Sequence, residues 1–452
     1  MKRLPWAEFA LFASVFLAYV ASPIATPFDS RWTVYTALSL IHDHNFDLNE
    51  YRARLEADGY YAIECVPAPG ERVYSLPGGP GIAEVRACSG RLYNFYPVAV
   101  PMLAAPLVAG LEASLHVARP LLEPLVQRTP PGYRRSLLEG DLARGSMPAE
   151  LIVASFITAL ACLVVFRLAR GLAAWPVALG VALVFAFASP AWSTASRALW
   201  QHTFSMLLLP LALACLLRSR WAWAGALFML AFFVRPTNAI PCALAGLWML
   251  TLGRRQTLRF VLGALPVAAV FLAINWSMYG LPLAPYFFIK RANSASLGLH
   301  PRFAEALLGH LVSPSRGLFV FCPVFLFSLY GMWLWARQRA TRRLGLFLAA
   351  GLVAHYLLIA SFEHWWGGHS YGPRFFADLA PYLSLALIPA WAALGRPARA
   401  ALLVLAAVGV LIHSQGALSP AGINWDVSPV EVDANPARVW DWRDPQFLRG
   451  WR

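Results

Sequence analysis

About eleven apolar runs, separated by short loops and turns, constrain this chain more than any other feature. They fall at 4–24, 149–166, 171–188, 203–217, 221–234, 236–252, 258–275, 318–336, 344–361, 376–394 and 399–413. Runs of this kind are membrane spans, and a backbone in lipid must satisfy its own hydrogen bonds, which selects helices. Several are shorter than a full crossing, so kinks or a locally thinned bilayer are expected. The expected class is an all-α polytopic membrane protein. Composition agrees: 59% of residues are hydrophobic and 13% charged, where a soluble domain carries about a quarter charged residues.

The net charge is +14, and lysine occurs only at Lys2 and Lys290. In a soluble protein such charge would suggest nucleic acid. Here the arginines sit in short loops between apolar runs and no nucleic-acid motif accompanies them, so no nucleic-acid partner is expected and orientation explains them first. Arg167 and Arg170, Arg218 and Arg220, Arg254, Arg255 and Arg259, Arg337 to Arg343, and Arg396 with Arg399 mark successive inner loops. The opposite side carries longer aromatic and Pro/Gly-rich pieces: Ser189–Gln201, Arg235–Asn238, Trp276–Gly317, Phe362–Phe375 and the tail from Ser414. Ala21-Ser22-Pro23 is a poor cleavage site, so the first run reads as an uncleaved span.

Pro97–Leu115 is also apolar. A crossing there would put either Met1–Arg3 or the Arg167/Arg170 loop on the wrong side. Pro97, Pro101 and Pro106 fit a regular spanning helix poorly, so the segment is expected as a juxtamembrane or re-entrant helix on the outer side. The arginines between 117 and 148 run against that placement. The layout is then a first span (1–24), an outer loop with juxtamembrane helices (25–148), the bundle (149–413) and an outer tail (414–452), with the N-terminus cytoplasmic. Cys65 and Cys88 lie in the outer loop, where a disulfide is expected. Cys162, Cys215, Cys242 and Cys322 fall in apolar runs as packing residues.

The polar candidates gather at the outer ends of the spans. Asp29, in Phe28-Asp29-Ser30-Arg31-Trp32, shares a helical face with Trp32 and Thr36. It reads as a base for a hydroxyl acceptor, and equally as a cap for the next helix. Asp43, Asp47 and Glu50 read as solvated. Arg197 and His202 follow an aromatic stretch, Arg235 sits at an abrupt turn, Lys290 and Arg291 follow Tyr286-Phe287-Phe288, and Arg316 and Arg374 lie in late outer loops. An arginine at such depth defaults to a functional hypothesis, and it can pair bidentately with phosphate. Interfacial snorkelling is the competing reading, strongest for Lys290, Arg291 and Arg316. In 364–374, Gly367 and Gly368 permit sharp turns. Trp365, Trp366 and Tyr371 suit a sugar face or the interface, and His364 and His369 suit a hydroxyl or phosphate. Two histidines without a matched carboxylate do not make a metal site, so no metal ligands are assigned; a divalent ion bridging Asp29 and a phosphate stays open.

These pieces resemble the GT-C superfamily of polytopic glycosyltransferases, nearest to the protein O-mannosyltransferase and lipid A aminoarabinose transferase group. Asp29 after the first span resembles that family's catalytic loop. Leu92-Tyr93-Asn94-Phe95-Tyr96-Pro97 resembles the stretch opening its juxtamembrane helix, Arg235-Pro236-Thr237 its turn between short spans, and Trp365–Arg374 its late outer loop. The chain departs in having Ser30 rather than a second acid and in lacking the motif's lysine. The resemblance implies transfer of a sugar from a polyprenyl-phosphate donor to a glycan, lipid or protein acceptor, outside a bacterial-type inner membrane of the cell envelope. It implies Asp29 as base and Arg235, Arg316, Arg374, Arg197 and Lys290 on the donor phosphate. His202, Tyr96, Trp366, His369 and Tyr371 would contact substrate. A non-catalytic lipid-glycan binder on the same fold and a transporter remain as alternatives.

Overall fold

The computed structural model describes residues 5–68, 71–74, 81–287 and 300–451. Each of the eleven apolar runs contains helix. Among the described residues six helices are long and apolar enough to cross a membrane: Ala99–Arg128, Ser146–Leu172, Arg254–Tyr279, Arg342–Ala360, Arg374–Ala393 (whose first turns are 3-10) and Arg396–Leu418. Other runs give shorter pieces, such as Trp175–Phe187, Gln201–Leu217 and Trp221–Val234. A 14-residue helix is about 21 Å long, less than the roughly 30 Å of a hydrocarbon core. Many leucines and valines of Arg254–Tyr279 point outward, among them Leu258, Leu262, Leu265 and Val270. So large an exposed apolar surface calls for a lipid surround.

The helices meet through small residues. A Cβ on Gly225 would strike the Phe260 carbonyl, and one on Gly263 the Ala222 carbonyl, so Trp221–Val234 and Arg254–Tyr279 approach backbone to backbone. Gly331 stands in the same relation to Ala386 on the Ala380–Ala393 helix. Without a hydrophobic drive between helices in lipid, such close van der Waals contact is what holds them.

Two helices begin or end differently from what the sequence suggests. Ala99–Arg128 is one continuous 30-residue helix running through Pro106, Pro120 and Pro124. Pro101 falls in its first turn, where no N–H is needed, and each interior proline forfeits one bond without ending the helix. The helix after Asp29 starts only at Thr33, with Trp32 at its N-cap position and no side-chain cap bond. Asp29 therefore lies in the preceding turn and does not fill the cap.

Between these helices sits an antiparallel sheet of order β2-β1-β3: Ile63–Val66 (β1), Val73–Tyr74 (β2) and Arg91–Asn94 (β3). Glu64 pairs with Tyr74 on one side and Tyr93 on the other. A Cys65–Cys88 disulfide, as expected, ties β1 to the residues leading into β3. That sheet delivers Phe95 and Tyr96 to the bundle. Glu64 is fully buried, and among the described residues neither of its carboxylate oxygens has a hydrogen-bond partner. Burial pushes its pKa up from 4.5 to about 8. Inside that interval the folded chain binds a proton that the unfolded chain releases. The contribution to stability is therefore complete below the interval and is lost as pH rises through it. Glu64→Gln should flatten this decline in thermal stability, read by unfolding in detergent across the same pH range.

Candidate active site

The residues around Asp29 build one cavity of about 790 Å³. Asp29 supplies its carboxylate from the turn before Thr33. Tyr96 donates its hydroxyl to Asp29 Oδ1 at 2.7 Å, and Arg374 Nη1 donates to Oδ2 at 3.0 Å across 345 residues of sequence. The Arg374 guanidinium lies 4.7 Å over the Trp200 ring. Gly367, at φ +75°, keeps this arrangement possible: a Cβ there would stand 3.2 Å from Arg374 Nε. The pair is only partly covered, with side-chain exposures of 26% for Asp29 and 13% for Arg374.

A second, fully buried unit forms the floor. Helix Trp221–Val234 ends at Arg235, a 3-10 turn covers Pro236–Asn238, and Ala239–Leu250 leads away. Arg235 Nε lies 2.9 Å from Asp378 Oδ2, and Thr237 Oγ1 accepts from the same nitrogen at 2.8 Å. Arg235 Nη1 donates to His202 Nε2 at 2.8 Å. An arginine cannot accept, so Nε2 is unprotonated, and the imidazole is neutral with its proton on Nδ1. That proton goes to Asp378 Oδ1 at 2.9 Å.

The cavity has a mixed lining. Asp29, Arg374, Arg235, His202, Gln201 and Asn94 are among its polar members, and Val100, Ala239, Ile240, Ala354, Leu358, Tyr286 and Phe95 among its apolar and aromatic ones. Among the described residues, four lining residues carry buried N–H groups without a partner: Asn94 Nδ2, Trp200 Nε1, Gln201 Nε2 and Arg374 Nε. Buried donors are normally satisfied. These four atoms are covered by neighbouring protein, so they are polar groups in the cavity wall and not donors presented to its interior.

Asp29, Tyr96, His202, Arg235 and Arg374 thus come together as the sequence suggested. His364 lines the cavity as well; five other sequence candidates lie elsewhere. Arg197 is buried behind the cavity and donates to the carbonyls of Tyr19, Ser22 and Ile24, holding the end of the first helix. Arg316 is buried as well. It pairs with Asp426 at 2.8 Å and binds Gln446 and the carbonyls of Ser315, Trp366 and Gly368. Burial raises the pKa of Asp426 to about 6, against the pull of Arg316. Trp366 donates to Asp433, and His369 meets Glu431 at 2.9 Å. Tyr371 is buried against Gly416 and Gly422, with its hydroxyl on the Ile412 carbonyl. None of these five lines the cavity. Lys290 lies outside the described residues.

Sequence reasoning assigned Trp200, Gln201 and Asp378 no part in this site. It also missed Glu150, fully buried at the start of Ser146–Leu172, whose Oε1 accepts from the Leu199 N–H at 2.7 Å and so fixes the backbone leading into Trp200. A single acid at the head of an apolar run gives no periodic signal. The carboxyl of Asp378 could have been considered for Arg235 on charge, since a buried guanidinium needs acceptors.

No family model matches this chain, no curated protein matches it, and no solved structure matches it.

The two ion pairs should respond differently to mutation. Asp378→Asn leaves Arg235 buried without its counter-ion and should destabilise the protein by about 3 kcal/mol. Asp29→Asn breaks a partly solvated pair and should cost less than about 1 kcal/mol. Equilibrium unfolding of the two variants in the same detergent checks the contrast.

Proposed function

We propose that the protein is a membrane glycosyltransferase that moves a sugar from a polyprenyl-phosphate donor to an acceptor hydroxyl, with Asp29 as base. The observation that carries this reading is a partly exposed Asp29 carboxylate paired with Arg374, in a cavity that Arg235, His202 and many apolar side chains also line. The apolar side chains of the lining suit a prenyl chain. Arg374 and Arg235 suit phosphate oxygens.

The chemistry needs little else. As the acceptor oxygen attacks the anomeric carbon, Asp29 takes its proton. The bond to the donor phosphate breaks, and the pair of electrons stays on a phosphate oxygen that is already anionic. No general acid is needed there, only cations to hold the growing charge. Arg374 is placed for that, and Arg235 faces the cavity from a fixed mount on Asp378 and His202. Tyr96 holds one oxygen of Asp29 and so orients the other. The reading places the cavity on the extracytoplasmic side of a bacterial-type inner membrane, with the N-terminus inside. It draws on the arginine-rich loops opposite and on the disulfide in the segment that carries Asp29.

Native mass spectrometry of the purified protein tests the donor: a prenyl-phosphate lipid should accompany the wild type and be depleted in Arg374→Ala. Asp29→Asn should retain the lipid and lower turnover about a thousandfold, within the range of a lost general base. Lipid bound without turnover by the wild type would favour a non-catalytic lipid-glycan binder on the same cavity. Full activity in Asp29→Asn would sink the assignment of the base.

A further inference from the structure

We propose that His369, Glu431 and Asp433 bind a divalent transition-metal ion, zinc first and manganese second, which fastens the C-terminal tail to the loop carrying Arg374. None of the three lines the cavity. In the sequence, the histidines of 364–374 have no matched carboxylate; the fold brings two to His369 from more than 60 residues further on. One ligand atom from each residue lies within 4.8 Å of the other two. With metal bonds of about 2.0–2.2 Å, an ion would draw the farthest pair in by about 1 Å. Asp433 is exposed and the other two are only partly covered, so they have room to move.

Two further features set the ligands for an ion. Each carboxylate is already oriented through one oxygen. The Ala434 N–H donates to Glu431 Oε2 at 3.1 Å, and Trp366 Nε1 donates to Asp433 Oδ1 at 2.7 Å. That leaves Glu431 Oε1, which faces His369 Nε2, and Asp433 Oδ2 for the metal. Outer hydrogen bonds of this type are what orient metal ligands. Gly368 supplies the second feature. It holds φ +61°, and a Cβ there would sit 3.5 Å from Asp433 Oδ2, filling the space beside the free oxygen.

The donor set chooses the metal. One imidazole and two carboxylates carry two negative charges, which a divalent ion neutralises. Calcium and magnesium favour oxygen throughout, whereas imidazole favours zinc and its neighbours. The partly open position leaves room for water to complete the shell. The ion would act at a joint of the molecule: the His369 ring lies 5.7 Å from that of Phe28, the neighbour of Asp29, and Arg374 follows five residues later in the same loop.

Metal content of the full-length protein in detergent tests this without reference to activity. The protein is stripped with a chelator, reloaded separately with Zn²⁺ and Mn²⁺, freed of excess ion and analysed by mass spectrometry of the elements. One ion per chain is expected, with a rise in unfolding temperature on reloading. His369→Ala, Asp433→Asn and Glu431→Gln should each lose the ion and the rise. Trp366→Phe should weaken binding about 10–100-fold. Glu431→Gln keeps the shape of a partly exposed side chain, so at least one variant stays folded, as size-exclusion chromatography checks. Far less than one ion in the wild type, or equal retention by folded variants, overturns the proposal.

Discussion

A guanidinium inside an apolar bundle cannot shed its charge, so every buried arginine must be met by acceptors. This chain meets the requirement in four ways. Arg197 is met by backbone carbonyls, Arg316 by Asp426 and a cage of carbonyls, and Arg235 by Asp378 and His202. Arg374 is met by Asp29, yet its Nε has no partner among the described residues and its pair stays partly open. The first three arginines hold the architecture together. The fourth is incompletely satisfied, and it faces the cavity.

That difference also measures what the sequence could disclose. The positions of Asp29, His202, Arg235 and Arg374 near the ends of apolar runs were enough to put them among the candidates, and Tyr96 joined them through the family resemblance. Nothing local separated Arg197 or Arg316 from them, because the acceptors that satisfy those two come from elements far away in the chain. Trp366, His369 and Tyr371 sit in the same motif as Arg374, but the backbone bends there through Gly367, Gly368 and Gly372, all of positive φ, and their side chains meet the tail and the core. Periodicity located the helices well. Their lengths it rendered less well, since an apolar run does not say whether its prolines fall in a first turn or an interior. In Ala99–Arg128 the helix continues past three interior prolines.

The tail is more than an appendage in this arrangement. Gln446 reaches Arg316, the Gly372 N–H and the Ser370 carbonyl, while Asp426 neutralises Arg316. The late loop is thus braced from outside while Asp29 engages it from the front. Rigid support of this kind keeps functional side chains within the narrow tolerance that binding and chemistry need.

The Asp29–Arg374 contact also carries a meaning in time. An acid near the start of the chain waits for an arginine 345 residues later. Chains are made from the N-terminus, and early segments settle before late ones exist. Most of the bundle can therefore assemble around a cavity whose two key charges have not yet met. The centre becomes whole only after the late loop that carries Arg374 has been made.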